Sequence, residues 1–147
     1  MSMTEQEKWD YINAIDEELL RGGVIISEWS IFLVKDAELA FCSGDNLGAI
    51  LAAQAAVESH LRYEYFDPVE TRGWGLYRLL EHAPLPIDLK DDLHKLRQFR
   101  NRWVHVENPS QDDELLEKPE YHEAELEKMA TLAIRSMLRR IYSEQWV

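Results

Sequence analysis

The chain has 147 residues, 46% of them hydrophobic, and sets 16 Lys+Arg against 28 Asp+Glu for a formal net charge of −12. This apolar content excludes an intrinsically disordered chain, and the length lets one domain bury about 70% of its unfolded surface without a disulfide or a metal. The net charge excludes a protein that holds nucleic acid by its overall field, although a basic cleft on an acidic body remains open because screening confines each charge to about 8 Å.

Thr4-Glu5-Gln6-Glu7 has the pattern of a capping box and predicts a first helix reaching about Arg21, ended by Gly22-Gly23. A second helix fits about Ile25 to Cys42, with Trp29, Phe32, Leu33 and Ala40 on its apolar side. Ser43-Gly44-Asp45 ends it and caps a third, alanine-rich helix from Asn46 to about Tyr65, stopped by Asp67-Pro68. Trp74 to His82 makes a short helix, and Asp88 is the expected cap of a helix over about 89–105, closed by Asn108-Pro109. Residues 107–120 are expected as an acidic loop, and a last helix starts near Pro119 with Leu126, Met129, Ala130, Ala133, Met137 and Ile141 on one face. No stretch alternates with period two, so the expected class is an all-α, up-down bundle of four to five main helices, with residues 1–23 as an extra N-terminal helix on a single domain of residues 1–147.

The single Cys42 has no internal partner, which fits a reducing compartment, and its apolar neighbours predict an inert core thiol. No apolar run approaches the ~20 residues of a membrane span. The opening MSMTEQEKWD has neither the basic flank nor the apolar core of a signal peptide, so a cytoplasmic location is expected.

Helical wheels at about 100° per residue place two charges among apolar side chains. Glu58 falls near the middle of the stripe Leu47, Ile50, Leu51, Val57, Leu61 and Tyr65, and Arg100 near the middle of Leu89, Leu93, Leu96, Phe99, Trp103 and Val104. Because an unpaired buried charge costs several kcal/mol, each is the other's expected partner. Arg97, Asn101 and His105 recur at i, i+4 and i+8, with Arg102 three residues before His105. An imidazole that titrates near neutral pH beside guanidinium groups and an amide suits proton transfer at a phosphate, although for such an edge taken alone a solvated helix face is the commoner explanation. The five histidines form no two-His motif at ligand spacing, and Gly73-Trp74-Gly75 is too short for a phosphate loop, so no metal or cofactor is expected.

The stretch Leu96-Arg97-Gln98-Phe99-Arg100-Asn101-Arg102-Trp103-Val104-His105 resembles the Arg-x4-His signature of the HEPN superfamily, which often has Asn directly after the Arg. Glu58-Ser59-His60-Leu61-Arg62 is similar to the Glu-x-x-x-Lys/Arg that the family tends to carry on an earlier helix, and the resemblance spans about residues 27–142. It implies a helical bundle, a homodimer whose motifs face one cleft, and a metal-independent RNA endonuclease of the toxin, phage-defence or RNA-processing kind, with an antitoxin as a possible partner. In such an enzyme His105 would move the 2′-hydroxyl or leaving-group proton. Arg100, with Arg102 or Arg97, would stabilise the phosphorane, Asn101 would orient the phosphate or the imidazole, and Glu58 and Arg62 would support them. The family also contains catalytically silent members that partner a nucleotidyltransferase or bind a nucleotide. A purely structural bundle, in which Glu58–Arg100 sets helix register, is the third reading.

Charge pulls against RNA binding. Residues 90–105 hold Lys90, Lys95, Arg97, Arg100 and Arg102 against Asp91 and Asp92, but residues 107–127 follow with nine acids against Lys118.

Overall fold

A computed structural model describes residues 2–106, 108–110 and 113–146. In chain order these form α1 (Glu5–Leu19), β1 (Gly23–Val24), α2 (Glu28–Ser43), α3 (Asn46–Tyr65), α4 (Leu76–His82), α5 (Ile87–Val104), α6 (Asp113–Glu117), α7 (Pro119–Ile141) and β2 (Gln145–Trp146). The all-α expectation holds, and the described strand is confined to the two-residue β1 and β2, which period-two patterning is too coarse to detect.

Capping chemistry sets most boundaries. Thr4 Oγ1 accepts from the Glu7 amide at 3.1 Å while Glu7 Oε1 accepts from the Thr4 amide at 3.1 Å, completing the capping box. Ser27 caps α2 and Asp45 caps α3 through side-chain oxygens that accept from Ser30 N and Gly48 N. Gly44 ends α2 at φ 89°, a left-handed conformation that glycine adopts without Cβ strain, and so turns the chain into the α2–α3 hairpin. Pro119 opens α7 in its first turn. Asp88 does not cap α5: the helix starts at Ile87 after Pro86, and Asp88 sits inside its first turn. Gly22-Gly23 does not end α1, which stops at Leu19 with Leu20 extended, because Gly23 is drawn into β1. The expected acidic loop over 107–120 contains the short α6; Glu107, Gln111 and Asp112 lie outside the described residues.

α3 packs on α2 and on α7, and its buried residues include Ala49, Ile50, Ala53, Ala56, Val57 and Leu61. This burial displaces two expected stripes. On α2 the buried residues are Ser30, Ala37, Phe41 and Cys42; Ser30 Oγ donates to Ser59 Oγ of α3 at 3.1 Å, and the Phe41 ring meets Tyr11 of α1. Trp29 and Phe32 instead stand 79% and 65% exposed. On α3 the buried sector centres near Ala53 and Val57, about 70° round from the centre of the large side chains, which leaves Leu51 exposed and Glu58 at the flank. The cause is common to both helices: small residues let two helix axes approach closely, so the contact runs along alanines rather than along the largest apolar groups. On α5, Val104 is exposed in the last turn.

The N- and C-terminal ends are tied together. β1 pairs with β2 antiparallel, Gly23 against Trp146 and Val24 against Gln145. The Gln145 side chain accepts from the Arg21 and Gly22 amides and donates to the Leu19 and Tyr142 carbonyls. A Cβ on Gly23 would stand 2.4 Å from the Trp146 ring, so a larger residue here would have to displace the indole from its place over β1. α1 buries Ile12 and Ile15 in the common core, and Arg135 grips Glu18 with both guanidinium nitrogens at 3.1 and 3.0 Å.

Candidate functional site

The residues of the Arg-x4-His signature end α5. Its last turn is held by ordinary helical bonds up to His105, whose amide donates to the Asn101 carbonyl at 2.9 Å. His105 leaves the helix at φ −115° and ψ 71° and is exposed. Unsatisfied carbonyls at a helix C-terminus favour positive charge nearby, and Arg100 and Arg102 sit there. Arg100 Nη2 donates to Asn101 Oδ1 at 3.2 Å, so these two side chains meet. Arg100 Nε is buried and has no hydrogen-bond partner, and among the described residues no carboxylate forms an ion pair with this guanidinium. An orphaned guanidinium donor at the end of a helix is a group suited to an anion.

The expected Glu58–Arg100 pair does not form. Glu58 instead lies 4.0 Å from Arg62 within α3, and Arg62 Nη2 donates to the Trp74 carbonyl. The rotation of the α3 buried sector explains this, because Glu58 sits at its flank with its side chain 38% exposed. The other supporting arginines are also engaged. Arg97 Nε donates to His94 Nδ1 at 3.3 Å and stacks over Tyr77, and Arg102 pairs with Glu125 at 3.2 Å while lying over the Phe99 ring. Thus Arg100, Asn101 and His105 share the end of α5, Arg97 is held one turn back, Arg102 points to α7, and Glu58 and Arg62 form their own pair.

Beside the signature lies a recess of about 340 Å³ between α5 and α7, with Arg102, Trp103, Val106, Tyr121, His122 and Glu125 in its lining. His122 Nε2 is buried and unpartnered, and its ring meets Tyr121 edge-on at 5.3 Å. The place of His122 opposite the α5 end depends on the α5–α7 packing and leaves no signal in the spacing of the α5 motif. Among the described residues no three His, Cys, Asp or Glu side chains gather so as to hold a metal ion, and no helix is long and apolar enough to cross a membrane.

The buried guanidinium of this bundle belongs to Arg140, which is 1% exposed. Its Nε donates to His60 Nδ1 at 3.2 Å, its Nη1 donates to the Tyr65 hydroxyl at 3.0 Å, and it lies 4.8 Å from the Tyr65 ring centroid. The Tyr65 hydroxyl donates onward to Glu144. Burial, and next the Arg140 charge, push His60 down to about 4, so it stays neutral and accepts from Arg140. A wheel of α7 puts Arg140 between Met129 and Ala133, inside the apolar stripe but toward its edge, so the sequence carries a signal for this buried charge too.

Comparison with models of known protein families, with curated protein sequences and with solved structures returned no match.

Proposed function

We propose that the chain is a HEPN-like, metal-independent RNA endonuclease that acts as a homodimer. The observation that carries the reading is the grouping of Arg100, Asn101 and an exposed His105 on one helix end, with Arg100 Nε unsatisfied. Arg100 is joined to Asn101 rather than neutralised by Glu58, which leaves its charge for substrate. The apolar Val104 and Val106 are exposed next to the signature, and Tyr121 lines the adjoining recess; a second copy covering them would bring two His105 side chains to one cleft.

In this reading one imidazole accepts the ribose 2′-hydroxyl proton while the 2′-oxygen attacks phosphorus. The P–O5′ bond breaks, the 5′-oxygen takes a proton, and the products are a 2′,3′-cyclic phosphate and a 5′-hydroxyl end. Arg100 stabilises the charge that builds on the phosphorane, and Asn101 orients Arg100 or the phosphate. Wild type should cut single-stranded RNA, while His105→Ala and Arg100→Ala, folded by circular dichroism, should lose at least a hundredfold in rate. Equal cleavage by wild type and both variants would reject the assignment.

A catalytically silent binding module is the second reading. It draws on the −12 net charge and on the Glu125 carboxylate that already occupies Arg102. A nucleotidyltransferase or a nucleotide would then be the partner, and RNA would remain uncut.

A further inference from the structure

On the side of the bundle formed by α1, α2 and the C-terminal end of α7 lies a groove of about 630 Å³, the size of a small-molecule site. Its walls are mainly apolar, with Trp9, Leu20, Val24, Val34, Ile141 and Tyr142 among them. Two charged side chains line it, Lys35 and Glu38, one turn apart on α2. Lys35 is exposed, whereas Glu38 is half-buried and, among the described residues, has neither a hydrogen bond nor an ion pair.

The next carboxylate, Asp16, adds negative charge rather than relief. It accepts from the Tyr142 hydroxyl at 2.6 Å, and together with burial it raises Glu38 to about 7. Lys35 is exposed and makes no ion pair with Glu38, and a half-buried carboxylate left without a partner is an unmet electrostatic demand. Lys8, the nearest lysine of α1, is engaged by Glu127 and lies over the Phe41 ring. The chain therefore supplies an apolar cleft and one free carboxylate, and the missing component is a positive charge carried on a hydrophobic body.

We propose that this groove binds a small amphipathic organic cation, with its ammonium group on the Glu38 carboxylate and its hydrocarbon along Trp9, Val34 and Ile141. The site is separate from the end of α5 and does not rest on the nuclease reading.

The test is calorimetric titration of the full chain at about pH 8, where the Glu38 carboxylate is mostly ionised, with three eight-carbon probes: octylammonium, octan-1-ol and octanoate. Octylammonium should bind at one saturable site at least tenfold more tightly than octanol, and octanoate should be the weakest. Glu38→Gln should bring octylammonium to the octanol level and leave octanol unchanged. Val34→Trp, which fills the groove, should abolish binding of both. A general attraction of cations to the acidic surface would survive Glu38→Gln, and that result overturns the proposal. So does octanoate binding as tightly as octylammonium, or no saturable binding by any probe. Both variants lie away from Arg100, Asn101 and His105, and thermal unfolding by circular dichroism checks that each is folded.

Discussion

Acid should weaken this bundle through one buried histidine. His60 is fully buried on α3 and accepts from Arg140, with Glu64 3.7 Å from its other ring nitrogen and Glu144 beyond Tyr65. Its value falls from 6.5 to about 4 on folding. Between those values the unfolded chain binds the proton and the folded chain does not, so the stability contributed by neutral His60 is complete above pH 6.5 and is lost as pH falls toward 4. At about 1.4 kcal/mol per pH unit the full loss is about 3 kcal/mol, of which about 2 kcal/mol is gone by pH 5. Glu38 acts in the opposite sense. Its folded value is raised to about 7 from 4.5, so the folded chain binds the extra proton and stability rises as pH falls through that window. Wild type alone would therefore show a flattened profile, and the comparison must be with His60→Gln, whose amide oxygen can accept from Arg140 without titrating. Urea unfolding followed by circular dichroism at pH 7.5 and pH 5 should show wild type losing about 2 kcal/mol more than His60→Gln. Equal losses would refute the assignment of a neutral, buried His60.

Arg140→Ala should cost about 2–4 kcal/mol by urea unfolding, because it leaves a cavity at a fully buried position and takes the donor from His60 and Tyr65. Arg100→Ala, at the half-buried end of α5, should cost about 1 kcal/mol or less; the reverse order would show that the buried pair involves Arg100 after all. Cys42 is buried, and burial followed by the Glu38 charge pushes its thiol up to about 11, so it should resist a thiol reagent in the native protein and react fully in denaturant. Rapid native labelling would contradict that burial. Gly23→Ala should lower the melting temperature by several degrees, since its new methyl would meet the Trp146 ring; an unchanged melt would show that the β1–β2 tie contributes little.

Local chemistry made the helices legible. Thr4, Ser43-Gly44-Asp45 and Pro119 act within a few residues, so their effect is independent of the rest of the fold. Helix orientation was less legible because it depends on the partner. Small residues such as Ser30, Ala37, Ala49 and Ala53 are the buried ones on α2 and α3, whereas a wheel weighted by large side chains turns Trp29 and Phe32 inward when they face out. The same error placed Glu58 in the core and invited its pairing with Arg100, while His60, only two residues further on, holds the buried position. The β1–β2 tie was illegible because two-residue strands carry no period and depend on a Gln145 side chain more than a hundred residues away in sequence. Of the proposed site, Arg100 beside Asn101 and an exposed His105 follow from helical spacing alone. The engagement of Arg102 by Glu125, the stacking of Arg97 over Tyr77 and the His122 recess depend on the packing of α4, α5 and α7.

The most direct test of the nuclease reading is end-group analysis of RNA treated with the protein in EDTA, beside a His105→Ala control. The account predicts fragments with 2′,3′-cyclic phosphate and 5′-hydroxyl ends from wild type and intact RNA from the variant. Intact RNA from the folded wild-type protein, or the same fragments from His105→Ala, would contradict it.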